Sequence, residues 1–469
     1  MAGGLAVRKN FLFITFFEIR IFSIQGFLLT KWRSWILLND SWSSKWWYST
    51  VHIVTVTVGA GVLSLPTVMA YFGWALGTML LVGFLILSLM CYWQLIQMHE
   101  TEHGHRFDRY HELGQHILGR HLGFWLIAPL QAIAQVGIDT VYIIAGANSL
   151  EHVYSLFDKC KELDVHKCKG INLTYWMILF MGVQLLLSQL PHFQSITWVS
   201  FIAAVTAIGS ALSSGSAASA PTQCFQNVGH GYPQGSEAHL AFGIFTSLGK
   251  LAFAAAAGHN IALEIQATIP STTRHPSKRA MWRGILVAYL VVAFCYLPVA
   301  LVGYKVYGDE TRDLCSGLDN VLLRLRNPKP MIVLADLMVF IHLCGSYQVL
   351  AMPLFSNFET LVERMFKFEA NLKHRMIMRS IYVVLTLMLA AAFPFFGDLE
   401  AFFGGFAIIP TTYVIPSVLW HLSRKPEPLS PPWIANLLCI SFGIAVMATS
   451  TIGGLRNLIM KRRELEFFQ

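Results

Sequence analysis

From Tyr48 onward the chain alternates long apolar runs with short polar stretches, and eleven of the runs have the roughly 20 residues that a membrane-spanning helix needs. They fall near 48–70, 73–98, 124–149, 173–190, 195–219, 240–268, 284–306, 330–356, 376–396, 398–421 and 433–456. So little chain lies between them that no sizeable soluble domain fits. Any chemistry must sit inside the bundle or on short loops. The run Phe11 to Thr30 is equally apolar, but Glu18 and Arg20 at its centre would cost about 3 kcal/mol each on insertion scales. It reads as a membrane-surface helix within an N-terminal segment 1–44, and it lacks the small-residue cleavage site of a secretory signal.

Composition agrees: 55% of the 469 residues are hydrophobic and 13% charged, where soluble domains carry about a quarter charged. The expected fold is therefore all-α and polytopic. With Met1 inside, 20 Lys and Arg fall on the inner side and 13 on the outer, with Lys250 left within the sixth span. That bias follows the positive-inside rule and puts the N-terminus in the cytoplasm and the C-terminus outside. The net charge of +8 comes without the aromatic–basic interleaving of a nucleic-acid binder. Cys160 and Cys168 share the outer loop after the third span; they read either as a disulfide or as two free thiols, because spacing does not fix pairing. No zinc-type cysteine spacing occurs, and no metal site is expected.

Two spans are interrupted. The first contains VGAGVLSLP, Val58 to Pro66, in which Gly59, Ala60 and Gly61 loosen the helix and Pro66 removes a donor. Taken alone, such a stretch reads as tight helix packing, the commonest use of small residues in membrane helices. The sixth span, however, contains FAAAAGHNIALEIQATIP, Phe253 to Pro270, another small-residue run followed by His259, Asn260 and Glu264. Interrupted helices at matching places in two five-helix halves point to a transporter's midplane site. A helix N-terminus presents free N–H groups and about half a positive charge, which suits a carboxylate. The amides of Gly59, Ala60, Gly61 and Val62 are thus the expected carboxylate ligands. Gly258, His259 and Asn260 would offer carbonyls and an imidazole to an ammonium or a polar side chain.

The stretches KWWYS (45–49), VGAGVLSLP (58–66), RFDRYHELGQH (106–116), GHNIALEIQATIPST (258–272), MWRGILVAY (281–289), GSYQVLAMP (345–353) and GFAIIPTTYVIPSVLW (405–420) resemble the plant lysine-histidine transporter branch of the amino acid/auxin permease family. The likeness runs from about residue 45 to the C-terminus, marking 45–469 as the permease domain. It implies a LeuT-type fold of eleven spans, ten of them in a 5+5 inverted repeat with helices 1 and 6 broken. It also implies proton-coupled amino acid symport into the cell across a plant plasma membrane, with no cofactor beyond the proton gradient. The partners it implies are an amino acid, protons and the bilayer, and no nucleic acid. Several positions depart from the family's pattern: Ile53 where asparagine is common, Thr67 for tyrosine, Lys250 for an acidic residue, Ala255 and Ala256 near a tyrosine, and Ser356 near an aspartate. Those departures motivate the alternative of a non-transporting amino acid sensor.

Proton coupling needs a group that changes charge as the carrier changes shape. The candidates are His52, Asp139, Lys250, Glu264, Asp336 and His342, since ionisable residues inside spans are functional by default. For the histidines, and for Asp139 and Asp336, the competing role is a structural pair within the bundle; for Glu264 it is a cytoplasm-facing gate. Lys250 lies about 21 Å along the helix from Glu264, too far for a local pair, and is expected to snorkel to the outer interface. The loop from His99 to His121 holds six of the 17 histidines, which raises a rival of another class, a membrane di-iron enzyme. Interspersed Arg106, Asp108, Arg109 and Glu112 favour a solvated amphipathic gating helix instead, and the expectation is that the protein is not an enzyme.

Overall fold

The structure, a computed structural model, describes residues 46–101, 104–157, 171–189, 236–272, 275–308, 320–324, 328–366 and 372–464. The segment 1–44, the loop bearing Cys160 and Cys168, and the fifth expected span lie outside the described residues. Among the described residues there is no strand. In chain order, α1 (Trp46–Thr57) leads through a 3-10 turn (Ala60–Ser64) into α2 (Leu65–Met98), followed by α3 (Tyr110–Leu118), α4 (Arg120–Phe157) and α5 (Leu173–Leu187). After these come α6 (Glu237–Ala256), a second 3-10 turn (Ala257–Ile261) and the short α7 (Ala262–Ala267). The chain ends with α8 (Ser277–Tyr307), α9 (Lys329–Phe366), α10 (Leu372–Ala392), α11 (Phe396–Arg424) and α12 (Pro431–Glu464). Eight described helical stretches are long and apolar enough to cross a membrane, so this is an integral membrane protein.

The boundary expected between the first two spans falls at Gly73, where φ is 71° and ψ −175°. That region is essentially glycine-only, so the chain turns there without a loop. The first expected span, 48–70, is not one helix: α1 stops at Thr57 and a new helix starts at Leu65. Helices α4 and α9 overrun the expected 124–149 and 330–356; at 38 residues each they are roughly 57 Å long and stand clear of an apolar layer of about 30 Å.

Burial separates inner from outer helices. In α11, 78% of the apolar window is buried, against 28% in α10. On α10, Ile377, Ile381, Val384, Leu385 and Met388 are exposed at helical spacing, a stripe that suits lipid. Helix α11 widens into π-turns at Gly404–Ile408 and Pro410–Val414, next to prolines that cannot donate to the regular ladder. Around it, α1 and α2 pack on α8, α4 on α9, and α6 on both α2 and α12. These pairings set the Ala60–Ser64 turn against α6 and the Ala257–Ile261 turn against α1.

Candidate functional site

A helix that stops inside hydrocarbon strands its last carbonyls, with no water to take them. Both interruptions solve this with side chains from other helices. At the end of α1, Val54 O receives the Val58 amide at 2.9 Å, Thr55 O the Ser346 hydroxyl of α9 at 2.8 Å, and Val56 O the Tyr142 hydroxyl of α4 at 3.3 Å. Thr57 O lies against both the Gly59 amide, at 2.8 Å, and the Tyr296 hydroxyl of α8. At the end of α6, Tyr296 also reaches Ala254 O at 2.8 Å. Ala255 O is met by Tyr289 at 2.9 Å and Ser88 at 3.2 Å, and Ala256 O by Thr412 at 3.3 Å. One hydroxyl proton, that of Tyr296, is thus shared between the two broken helices.

The glycines bring the interruptions into contact. A Cβ on Gly61 would lie 2.7 Å from the Cα of Ala254, one on Gly59 would run into the Tyr142 hydroxyl, and one on Gly258 would meet the Tyr92 hydroxyl and stand 3.0 Å from Thr57 Oγ1. Packing and interruption are therefore the same feature here, where the sequence alone presents them as rivals. Because the Gly59 amide is already turned onto Thr57 O, the amides that open the Ala60–Ser64 turn are those left without an intrahelical acceptor.

Of the carbonyls expected to meet an ammonium at the sixth-helix interruption, His259 O receives the Ala262 amide and Asn260 O the Gln131 carboxamide. Beside them stands the pair of side chains. His259 sets Nε2 2.9 Å from Ser88 O and Nδ1 3.1 Å from Ala256 O, with its ring stacked on Tyr92 at 3.7 Å. A neutral imidazole has one N–H, so only the protonated ring donates to both carbonyls. Asn260 is fully buried; its backbone carbonyl accepts from Gln131 Nε2 at 2.5 Å, while its carboxamide has no hydrogen-bond partner among the described residues.

The other candidates are dispersed. Asp139 Oδ2 accepts from Tyr382 of α10 at 2.6 Å, and Asp336 Oδ2 lies 2.7 Å from His152 Nδ1. His52 packs edge-on to Tyr48 at 4.5 Å, and His342 lies beside Ser346. Lys250 does not snorkel: it is 5% exposed, 13 residues or about 20 Å into α6. Its neighbour Gly249 is pressed against Ala401 of α11, so the side chain starts too deep to reach the interface. Sequence reasoning missed His152, Tyr296 and Tyr382, which carry no motif. It also passed over Glu400, buried in α11, and the polar ladder Gln131, Gln135, Asp139, whose spacing of four was visible.

In the first turn of α7, Glu264 Oε1 accepts from Gln131 at 2.9 Å, and the residue lines a cavity of about 170 Å³ with Asp108, Arg109, Met352, Ser356 and Asn357. Arg106 closes α7 by donating to Gln266 O and Ile269 O, each at 3.1 Å. Tyr110, at the start of α3, donates to Thr411 O of α11 at 2.8 Å. Beside them, His99 is buried against Arg106; burial first, and then the guanidinium, push its imidazole down to about 3. No group of three or more His, Cys, Asp or Glu positioned for a metal occurs among the described residues.

Two discontinuous helices packed together at their interruptions, among helices long and apolar enough to cross a bilayer, define a polytopic membrane protein. The chain belongs to the transmembrane amino acid transporter protein family, whose model matches residues 43–456. It is 44% identical over 434 residues to lysine histidine transporter-like 1 of Arabidopsis thaliana, covering 92% of each chain. It is 42% identical over 443 residues to lysine histidine transporter-like 6 of the same plant, covering 93% of this chain and 96% of the relative. A more distant relative, GABA transporter 1 of Arabidopsis thaliana, is 26% identical over 441 residues, covering 90% and 92%. The family is one of transporters, which sets the di-iron enzyme aside.

Proposed function

We propose that the protein imports amino acids across a plant plasma membrane by proton-coupled symport. In this reading eleven spans hold a LeuT-type 5+5 inverted repeat, and the site alternates between the two sides of the membrane. The observation that carries it is that each interruption packs on the other broken helix, Ala60–Ser64 on the end of α6 and Ala257–Ile261 on α1, with Gly61 against Ala254 and Tyr296 bridging Thr57 O and Ala254 O. In a member of this family, a paired break whose carbonyls are satisfied and whose leading amides are not suits a carboxylate-bearing substrate.

The substrate carboxylate sits on the amides of Ala60, Gly61 and Val62, and the rest of the amino acid faces His259 and Asn260. His259 is the proposed proton carrier, because it is an imidazole at the sixth-helix interruption with a backbone carbonyl within hydrogen-bond distance of each ring nitrogen. The end bearing Arg106 and Glu264 faces the cytoplasm, making the cavity there the exit vestibule. Departures from the family's pattern at Thr67, 6% exposed, and Ser356, on the cavity wall, bear on selectivity. The test is uptake of a mixed amino acid panel into proteoliposomes with and without an inward proton gradient. Gradient-stimulated accumulation is expected; uptake indifferent to the gradient sinks the symport, and binding without uptake makes the protein a sensor.

A further inference from the structure

One face of α4 runs alongside both interruptions. Gln131 reaches the sixth-helix interruption through Asn260 O and Glu264, and Tyr142 reaches the first through Val56 O and the face of Gly59. Gln135 lies between them, four residues from Gln131 and seven from Tyr142, so all three share one stripe of the helix. Its side chain therefore faces the space where the two interruptions meet. Gln135 is fully buried, and both atoms of its carboxamide lack a hydrogen-bond partner among the described residues. Asn260, whose backbone carbonyl is held by Gln131 of the same stripe, is in the same condition.

Buried amides without partners are rare in folded proteins and each calls for a cause. These two supply four donor hydrogens and two acceptor oxygens, no charge, and a location beside the amides assigned to the carboxylate. We propose that Gln135 and Asn260 form the subsite for the substrate's side chain, and that they select amino acids whose side chains both donate and accept hydrogen bonds without a full charge: carboxamide, imidazole or hydroxyl. An aliphatic side chain would leave both amides unpaired on binding, and that is how a polar site rejects an apolar analogue. The assignment rests on the transport reading above and adds the class of substrate.

The experiment is competition against labelled substrate uptake in proteoliposomes, with glutamine, histidine and alanine as unlabelled competitors. The proteins compared are the wild type, Gln135→Met and Asn260→Leu, each of similar shape to the residue it replaces. The readout is the ratio of half-inhibiting concentrations, glutamine over alanine, which is insensitive to how much active carrier each preparation holds. The ratio should rise at least about tenfold in either variant. A ratio that stays at the wild-type value in both overturns the subsite while leaving transport intact. A wild type that takes up no amino acid removes the transport reading itself and the subsite with it. Should one variant fail to assemble, the other carries the same comparison.

Discussion

The two interruptions are built to one plan and differ in what they expose. Each is a five-residue 3-10 turn, and each has the carbonyls behind it tied to hydroxyls on other helices. Around the first, Ala60, Val62 and Leu63 are buried and apolar and Ser64 turns its hydroxyl back onto Gly61 O at 3.0 Å, so the polar groups it presents are those of the backbone. Around the second, the carbonyls of His259 and Asn260 are engaged and the polar groups are the side chains of the same two residues. In the function proposed above, one interruption recognises what every amino acid shares and the other faces what distinguishes them. Small residues at the first and functional side chains at the second follow from that division.

The comparison breaks most readily at Gly61. Gly61→Val drives a branched side chain into the α6 backbone, where no rotamer change gives relief; with overpacking costs of about 1–3 kcal/mol or more, surface delivery and melting temperature in detergent should both collapse. Gly258→Ala meets only the far ends of Tyr92 and Thr57 and should fold, with a loss of roughly 1–2 kcal/mol. If the two glycine variants melt alike, the asymmetry of the interruptions is wrong. Tyr296→Phe removes the hydroxyl shared between Thr57 O and Ala254 O; a stranded buried acceptor costs about 1–3 kcal/mol, and the maximal uptake rate should fall with it. Ser346→Ala touches the first interruption alone, and about 1 kcal/mol is expected in a thermal melt.

Acid sensitivity separates the interruptions from the loop end. His99 has a folded pKa of about 3 against an ordinary value near 6.5, so the unfolded chain binds the extra proton between those values. Stability should then decline as pH falls below about 6.5, by roughly 2 kcal/mol at pH 5, and His99→Asn should flatten that decline in detergent melts. The pH profile of uptake should survive in His99→Asn and change in His259→Gln. The reverse pattern would move proton coupling away from the sixth helix.

Much of this architecture was legible in the residues. The apolar runs mark the spans because hydrocarbon demands about 20 apolar residues per crossing, and Gly59–Gly61 and Gly258 mark the interruptions because other residues cannot approach a backbone so closely. Glu264 was legible as a candidate because it is ionisable and lies toward the end of the sixth span, and the structure places it on a cavity wall. Lys250 was misread because its depth is set by the Gly249–Ala401 contact, which lies between segments some 150 residues apart in sequence. The hydroxyls of Tyr142, Tyr289 and Tyr296 were invisible for the same reason: a buried tyrosine in an apolar span looks like core until its oxygen is seen on another helix's carbonyl.

The sequence by itself determined a helical membrane protein, the location of both helix interruptions and the family to which they belong. Local chemistry suffices for these, since hydropathy and glycine act within a few residues. Only the tertiary structure decided that the stranded carbonyls are already satisfied, that Asp139 and Asp336 pair with Tyr382 and His152, and that the carboxamides of Gln135 and Asn260 have no partner among the described residues. Hydrogen-bond satisfaction in hydrocarbon is settled between helices, by partners that no spacing along one of them can name.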